Sequence, residues 1–228
     1  MRALWFIALL CVVGWVSPCA HAQTSDAASK EFLEIKAKAE KGDVGAQDRL
    51  GSSYGLGLGV EKNNAEAVKW LRKAADQNHA GAQYNLGVCY ANGLGVEKDY
   101  SEAVKWYRKA VEQNYALAQS NLGVCYANGQ GVKKDYAQAV KWYRKAADQN
   151  YAPAQYNLGA NYAEGQGVEK DYAEAYAWFN LAARTNEDAA KARDGLEKTM
   201  SQQQVAEAQK RTKELRAQID AKLKSGDN

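Results

Sequence analysis

The sequence predicts an all-α protein, an α-solenoid of stacked helices. Three observations predict it. A unit of 36 residues occurs four times, starting at Ala46, Ala82, Ala118 and Ala154, and a fixed period of this size marks helical repeat arrays. Each unit holds two runs of apolar residues at helical spacing, parted by a glycine-bearing loop. Start signals, apolar faces and stop signals agree in every copy, and such agreement marks a well-specified fold. One unit cannot bury its own apolar face, so neighbours must stack into a continuous core. The expected repeats are 46–81, 82–117, 118–153 and 154–189, with a linker and partial-repeat helix over 23–45 and capping helices over 190–228.

The chain of 228 residues opens on a different signal. Arg2 is the only charged residue before Asp26, an apolar run spans Ala3 to Val16, and Ala20-His21-Ala22 supplies small residues at −3 and −1. This pattern predicts a secretory signal peptide over residues 1–22. The run is shorter than the ~20 residues of a membrane span. An uncleaved anchor and a lipid-modified Cys19 are the alternatives; Pro18 directly before Cys19 fits the second poorly. The expected address is therefore periplasmic or secreted, with no membrane span after cleavage.

Loss of Arg2 lowers the formal net charge from +3 to +2. A near-neutral chain lacks the concentrated basic face that nucleic acid requires.

The first helix of each unit carries a glycine in its middle: Gly51, Gly87, Gly123 and Gly159. A mid-helix glycine costs about 1 kcal/mol relative to alanine, and close approach of a second helix is the simplest compensation. Tyr54, Tyr90, Tyr126 and Tyr162 are expected to fill the space beside it. The loop pairs Gly57/Gly59, Gly93/Gly95, Gly129/Gly131 and Gly165/Gly167 then end the helix in the left-handed conformation and turn the chain. Helices flank these loops and no Gly-Lys-Ser/Thr follows, so a phosphate cradle is not indicated.

Asn63, Asp99, Asp135 and Asp171 are good N-caps for the second helix, and Glu66, Glu102, Gln138 and Glu174 three residues on resemble capping boxes. The apolar face runs Tyr100, Ala103, Trp106, Tyr107, Ala110 in the second copy. Asn78, Asn114, Asn150 and Asn186 are expected to close these helices in the left-handed conformation. Trp70, Trp106, Trp142 and Trp178 form a column read as packing, with a sugar-stacking platform as the alternative. A basic ladder, Lys69/Arg72/Lys73, Lys105/Arg108/Lys109 and Lys141/Arg144/Lys145, reads as a solvated outer face, or else a strip for an acidic partner.

Cys89 and Cys125 share one repeat position. Neighbouring helices lie about 8–10 Å apart, whereas a disulfide needs Cα atoms within about 4.4–6.8 Å. Two free thiols and no disulfide are expected. At the ends, residues 28–41 read as a worn second helix without its partner. Glu187 to Thr199 starts another pair, and Ser201 with Gln204 starts a last helix whose stripe is Val205, Ala208, Leu215, Ile219 and Leu223. That helix reads as a cap, or, past Arg216, as a free end for a partner helix.

Ala-Gln-x-Asn-Leu-Gly-x-x-Tyr, Gly-x-Gly-Val-x-x-Asp-Tyr and Ala-x-x-Trp-Tyr-x-x-Ala resemble the Sel-one-like repeat family, a branch of the tetratricopeptide-like helical repeats. The resemblance covers residues 46–189 and implies antiparallel helix pairs in a right-handed superhelix, with roles as adaptors in protein complexes. Bacterial members similar to this chain are often exported. The sequence departs from the pattern at Arg49, where asparagine is usual, and at Gly55-Leu56. A cysteine-rich subgroup of the family, linked to penicillin binding and β-lactam hydrolysis, has paired cysteines in each repeat; no repeat here has a pair.

The function expected is a binding scaffold and not an enzyme. His79 is the only histidine after the leader, and no zinc spacing or nucleophile motif is present. No cofactor or metal is expected. In tetratricopeptide-like stacks the first helices line the concave side. There the sequence places Asn85, Asn121 and Asn157 in one column and Asn92, Asn128 and Glu164 in another, with Tyr84, Ser120 and Tyr156 beside them. Amides can hydrogen-bond the backbone of an extended peptide and tyrosines add apolar area. The expected partner is thus a protein or extended peptide. A binder of cell-wall or polysaccharide fragments is the alternative, and a β-lactamase-like hydrolase the second.

Overall fold

The computed structural model describes the backbone of residues 18–226 and the side chains of residues 27–226. Residues 1–17 of the expected leader lie outside the described residues. The described residues form eleven helices and no strand. The first, α1, is Pro18–Glu40. Four pairs follow: α2 (Val44–Leu56) with α3 (Asn64–Asp76), α4 (Ala80–Asn92) with α5 (Tyr100–Glu112), α6 (Ala116–Asn128) with α7 (Tyr136–Asp148), and α8 (Ala152–Glu164) with α9 (Tyr172–Ala182). The chain ends with α10 (Glu187–Glu197) and α11 (Gln202–Ser225). Each helix packs on the next in sequence from α1 to α10, so the molecule is an α-solenoid of antiparallel pairs.

Sequence signals set the helix ends. The first helices stop at Gly57, Gly93, Gly129 and Gly165, all left-handed at φ 72–74°. The second helices start at Asn63, Asp99, Asp135 and Asp171, whose side chains accept from backbone N–H groups of the first turn. The glutamates three residues on are used otherwise. Glu66 and Glu102 hold Lys69 and Lys105, and Glu174 accepts from the Trp178 indole. Among the described residues only Ser201 and Gln204, at the start of α11, close a full capping box.

Asn78, Asn114 and Asn150 take positive φ after the second helices. Asn186 departs from that expectation. It is extended, at φ −129°, and its side chain caps the start of α10 by accepting from the Ala189 N–H. The chain enters α10 at once, so the residue that would end a helix begins one.

The mid-helix glycines are sites of contact between the two helices of a pair. A methyl carbon on Gly87 would stand 2.6 Å from the Tyr107 ring, and Gly51, Gly123 and Gly159 meet Leu71, Tyr143 and Phe179 in the same way. The side chain over the glycine therefore comes from the second helix, not from the tyrosine column of the first. Tyr90 instead reaches the preceding repeat, where its hydroxyl accepts from Arg72 at 2.5 Å. Arg108 and Arg144 bind Tyr126 and Tyr162 likewise. The arginines of the basic ladder thus tie repeats together, while its lysines stay on the surface. Lys73 and Lys109 lie 4.0 Å from the Trp70 and Trp106 ring centroids.

A second recurring contact is made by buried amides. Gln83, Gln119 and Gln155 are nearly or wholly buried in α4, α6 and α8. Each donates to the left-handed asparagine just before its helix: Gln83 to Asn78, Gln119 to Asn114, and Gln155 to Asn150. Each of the first two then accepts from the glutamine that ends the next second helix, Gln113 on Gln83 and Gln149 on Gln119, both at 2.8 Å. Gln77 bonds Gln47 identically at 2.7 Å. Thr185 stands where the next glutamine would be, and Gln155 Oε1 is left buried without a donor.

The ends follow the repeat register. Phe32, Ile35 and Ala39 of α1 pack on Ala46 and Leu50 of α2, as a second helix would. Ala208, Thr212, Leu215 and Ile219 of α11 are buried, and Leu215 and Ile219 join the core of α7 to α9. Lys222 reaches Asp148 at 2.5 Å. Helix α11 is thus folded back on the stack past Arg216, and of its apolar stripe Leu223 alone is exposed.

Replacing Gln119 by leucine takes the shorter of two acceptors from the half-buried Gln149 amide, which keeps Asn114, whereas replacing Gln155 removes a buried oxygen that already has no donor. An unsatisfied buried polar group costs about 1–3 kcal/mol. Gln119→Leu is therefore expected to destabilise the chain by about 1 kcal/mol more than Gln155→Leu, read from urea midpoints. Equal losses would contradict the amide chain.

Candidate partner-binding site

The first helices α2, α4, α6 and α8 run side by side, and their outer residues form one wall. Asp48, Tyr84, Ser120 and Tyr156 occupy one repeat position; Arg49, Asn85, Asn121 and Asn157 occupy the next. Leu56, Asn92, Asn128 and Glu164 end the helices and are all exposed. Asn92 donates to the Val88 carbonyl of its own helix at 2.9 Å. Asn128 and Glu164 present free polar groups.

The asparagine column divides. The Asn85 amide donates to Asp48 at 3.1 Å, and that of Asn121 donates to the Tyr107 hydroxyl at 3.4 Å. Both therefore link neighbouring repeats. Asn157 is half-buried and makes no side-chain hydrogen bond. Ser120 is buried, 3 % exposed, so it lies beneath the wall. Tyr84 and Tyr156 are half-exposed. Tyr156 leans on Phe179 at 5.6 Å between ring centroids.

A row of aromatic residues at the helix starts was not picked out in the sequence as part of the face. His79, Tyr115 and Tyr151 are the N-caps of α4, α6 and α8. His79 caps with its ring, accepting from Ala82 N–H at 3.2 Å. The two tyrosines make no capping bond and are half-exposed. Tyr115 meets Tyr84 at 5.6 Å and 51°, and Tyr84 meets Tyr107 at 6.1 Å and 33°. Their recurrence 36 residues apart was the signal that could have found them.

Burial chiefly raises the phenol pKa of Tyr84; Tyr151 and Tyr115 add to this and Asn121 opposes it. Burial also raises Tyr115, helped by Asp48 and Tyr151, and raises Tyr151. These phenols stay neutral donors at physiological pH. Deeper in the stack, burial pushes Tyr107 and Tyr143 up further still.

Cys89 and Cys125 are buried and free. Burial raises the Cys89 thiol and pushes Cys125 up to about 11. Among the described residues no group of His, Cys, Asp and Glu is arranged to hold a metal ion. No helix among them is long and apolar enough to cross a membrane.

Comparison with known proteins places this architecture. A profile described as the Sel1 repeat matches residues 44–79, 80–115, 116–151 and 152–185, more than half of the chain. The chain belongs to the Sel1 repeat family. Among solved structures, a Sel1 repeat protein from Oxalobacter formigenes is 39 % identical, with a TM-score of 0.70 over 74 % of this chain and 67 % of that one. A protective antigen of uropathogenic Escherichia coli displaying an SLR fold is 30 % identical, with a TM-score of 0.54 over 86 % of this chain. This chain spans about half the length of that antigen, 51 %. An immunity protein from Pseudomonas aeruginosa, 23 % identical with a TM-score of 0.50 over 90 % of this chain and 83 % of its own, shares the fold. No curated protein matches. Sel1 repeats form right-handed superhelical solenoids that serve as scaffolds, typically for protein–protein interaction and generally without catalysis.

The buried thiols of this Sel1 repeat chain give a direct check. Only the thiolate reacts. With a pKa of about 11, Cys125 is roughly one part in a thousand thiolate at pH 8. Aromatic disulfide reagents are expected to label both cysteines slowly in the folded chain and at once in urea; rapid native labelling would contradict the packing. A thiol or phenol that holds its proton more tightly when folded stabilises the fold below the unfolded group's pKa and loses that contribution above it. The ordinary values are 9.0 for the thiols and 10.0 for the phenols. The urea midpoint is therefore expected to hold to about pH 8 and fall progressively above about pH 9.

Proposed function

We propose that this Sel1 repeat chain is an exported scaffold of a bacterial envelope, which holds a protein or an extended peptide along the wall of its first helices. The observation that carries the reading is the residue content of that wall. Half-exposed Tyr84, Tyr115, Tyr151 and Tyr156 and the unbonded Asn157 amide lie toward the start of these helices, and the free polar groups of Asn128 and Glu164 lie at their ends. Such a surface offers rigid aromatic area with polar groups that bond a peptide backbone. In tetratricopeptide-like stacks this wall is the concave one. The opposite side is built differently: Trp70, Trp106 and Trp142 lie under lysines and Arg72, Arg108 and Arg144 are bound to tyrosines.

Export is supported by the leader pattern of residues 1–22. Cleavage after Ala22 would shorten α1 to residues 23–40, which still includes Phe32, Ile35 and Ala39, its packed residues. The solved relatives include a protective antigen present in uropathogenic Escherichia coli strains.

A photo-crosslinking residue at Asn157 is expected to trap a discrete partner in intact cells, while one at Lys141 on the outer face traps none. Equal capture from both positions would refute the face. The chain recovered from the periplasm or medium should begin at Gln23 by mass; a cytosolic chain retaining Met1 would remove export from the reading.

A further inference from the structure

We propose that Asp48, together with Tyr84, Tyr115 and Tyr151, receives a basic side chain, lysine or arginine, from the segment bound on the first-helix wall. This rests on the reading of that wall as the partner-binding face.

Asp48 breaks the repeat pattern, since tyrosine or serine fills its position in the other three copies. Its side chain is 18 % exposed, so most of the carboxylate is covered. One oxygen accepts from Asn85 at 3.1 Å. The other lies 3.8 Å from His79 Nδ1, a nitrogen already accepting from the Ala82 N–H. Among the described residues no lysine or arginine pairs with it. Its neighbour Arg49, the obvious candidate, is turned to Glu31 on α1 at 2.9 Å. A covered carboxylate without a cation is a strong site for one, because charge-assisted hydrogen bonds are about twice as strong as neutral ones.

The tyrosines supply the rest of the site. The Tyr84 and Tyr115 rings meet at 5.6 Å and 51°, so they are splayed and not stacked flat. Asp48 lies near enough to Tyr115, and Tyr151 near enough to both other phenols, to raise their pKa values. The small Ser120, buried beneath the wall, stands between Tyr84 and Tyr156 in its column. A cation within about 6 Å of an aromatic face is attracted by it. Carboxylate and aromatic faces therefore favour the same charge, and among the described residues no lysine or arginine pairs with Asp48. Charge complementarity selects a basic segment over an acidic one or a neutral glycan.

The test pans random dodecapeptides on phage against the purified chain, then measures fluorescein-labelled winners by anisotropy. Enriched sequences are expected to share a lysine or arginine. Replacing that residue by norleucine or citrulline should weaken binding about tenfold or more. Asp48→Asn should do the same with no further loss in combination, since it keeps an acceptor for Asn85 and removes only the charge. Tyr115→Leu, which disturbs no cap bond, should weaken the same peptides. Winners without a shared basic residue, or wild-type affinity in Asp48→Asn, would overturn the proposal while leaving the face itself standing if Asn157 still crosslinks a partner. Enrichment of no peptide, together with no crosslink at Asn157, would remove both readings.

Discussion

The stack depends on backbones approaching closer than any side chain would permit. At two places per repeat the distance leaves no room for a Cβ. The mid-helix glycine lets an aromatic or leucine ring or branch of the second helix lie on the bare backbone of the first. The second loop glycine does the same between repeats. A methyl carbon on Gly95, Gly131 or Gly167 would stand 2.2–2.3 Å from the carbonyl oxygen of Asn64, Tyr100 or Tyr136 in the preceding second helix. The first contact sets the pair and the second sets one pair on the next, so the 36-residue period becomes a fixed step in space.

Directional bonds are then laid over this close packing. Each interface between repeats carries an arginine–tyrosine bond, and the first two add a glutamine–asparagine–glutamine chain, while at the third Gln155 meets Asn150 alone. Buried amides are costly when unpaired, so each repeat is specified by the presence of its neighbour. The chain of amides stops where the repeats stop, at Gln155. Beyond it α11 closes the stack by different means: a capping box, an apolar stripe and ion pairs with Glu174 and Asp148. At the other end α1 keeps the loop contact, because Gly59 abuts the Ala28 carbonyl oxygen as Gly95 abuts Asn64. The partial helix is thus one in which the repeat register continues.

Most of the architecture was legible in the sequence because it follows from local rules. Glycines after helices, aspartates before them and apolar spacing within them name the helices without tertiary information. Contacts between repeats were less legible. Tyr90 was placed beside Gly87 from its own helix, but the ring over that glycine is Tyr107. Glu102 sits at capping-box spacing yet turns to Lys105, because an i,i+3 lysine competes for it. The amide chain went unread although Gln83, Gln119 and Gln155 recur; a recurring polar residue looks like surface until burial is known. The same difficulty applies to the binding face. Asn85 and Asn121 looked like a free ladder and are spent on neighbours, whereas the Tyr115 and Tyr151 row was hidden in a loop position.

These features join in one account. Close backbone contacts fix the step between repeats, the fixed step lines up the first helices, and the lined-up helices hold aromatic and polar groups in register over a long wall. The loop glycine contact carries that account, and Gly131→Ala at mid-stack tests it most directly. Gly131 has φ +69° and its added carbon would stand 2.2 Å from the Tyr100 oxygen. Gly195, with nothing within 4 Å, serves as the control. In urea unfolding, Gly131→Ala is expected to lose about 2 kcal/mol or more, and the single transition to broaden or split as the halves uncouple. Gly195→Ala should match or exceed the parent. A Gly131→Ala chain that unfolds at the parent midpoint in one sharp transition would contradict the account.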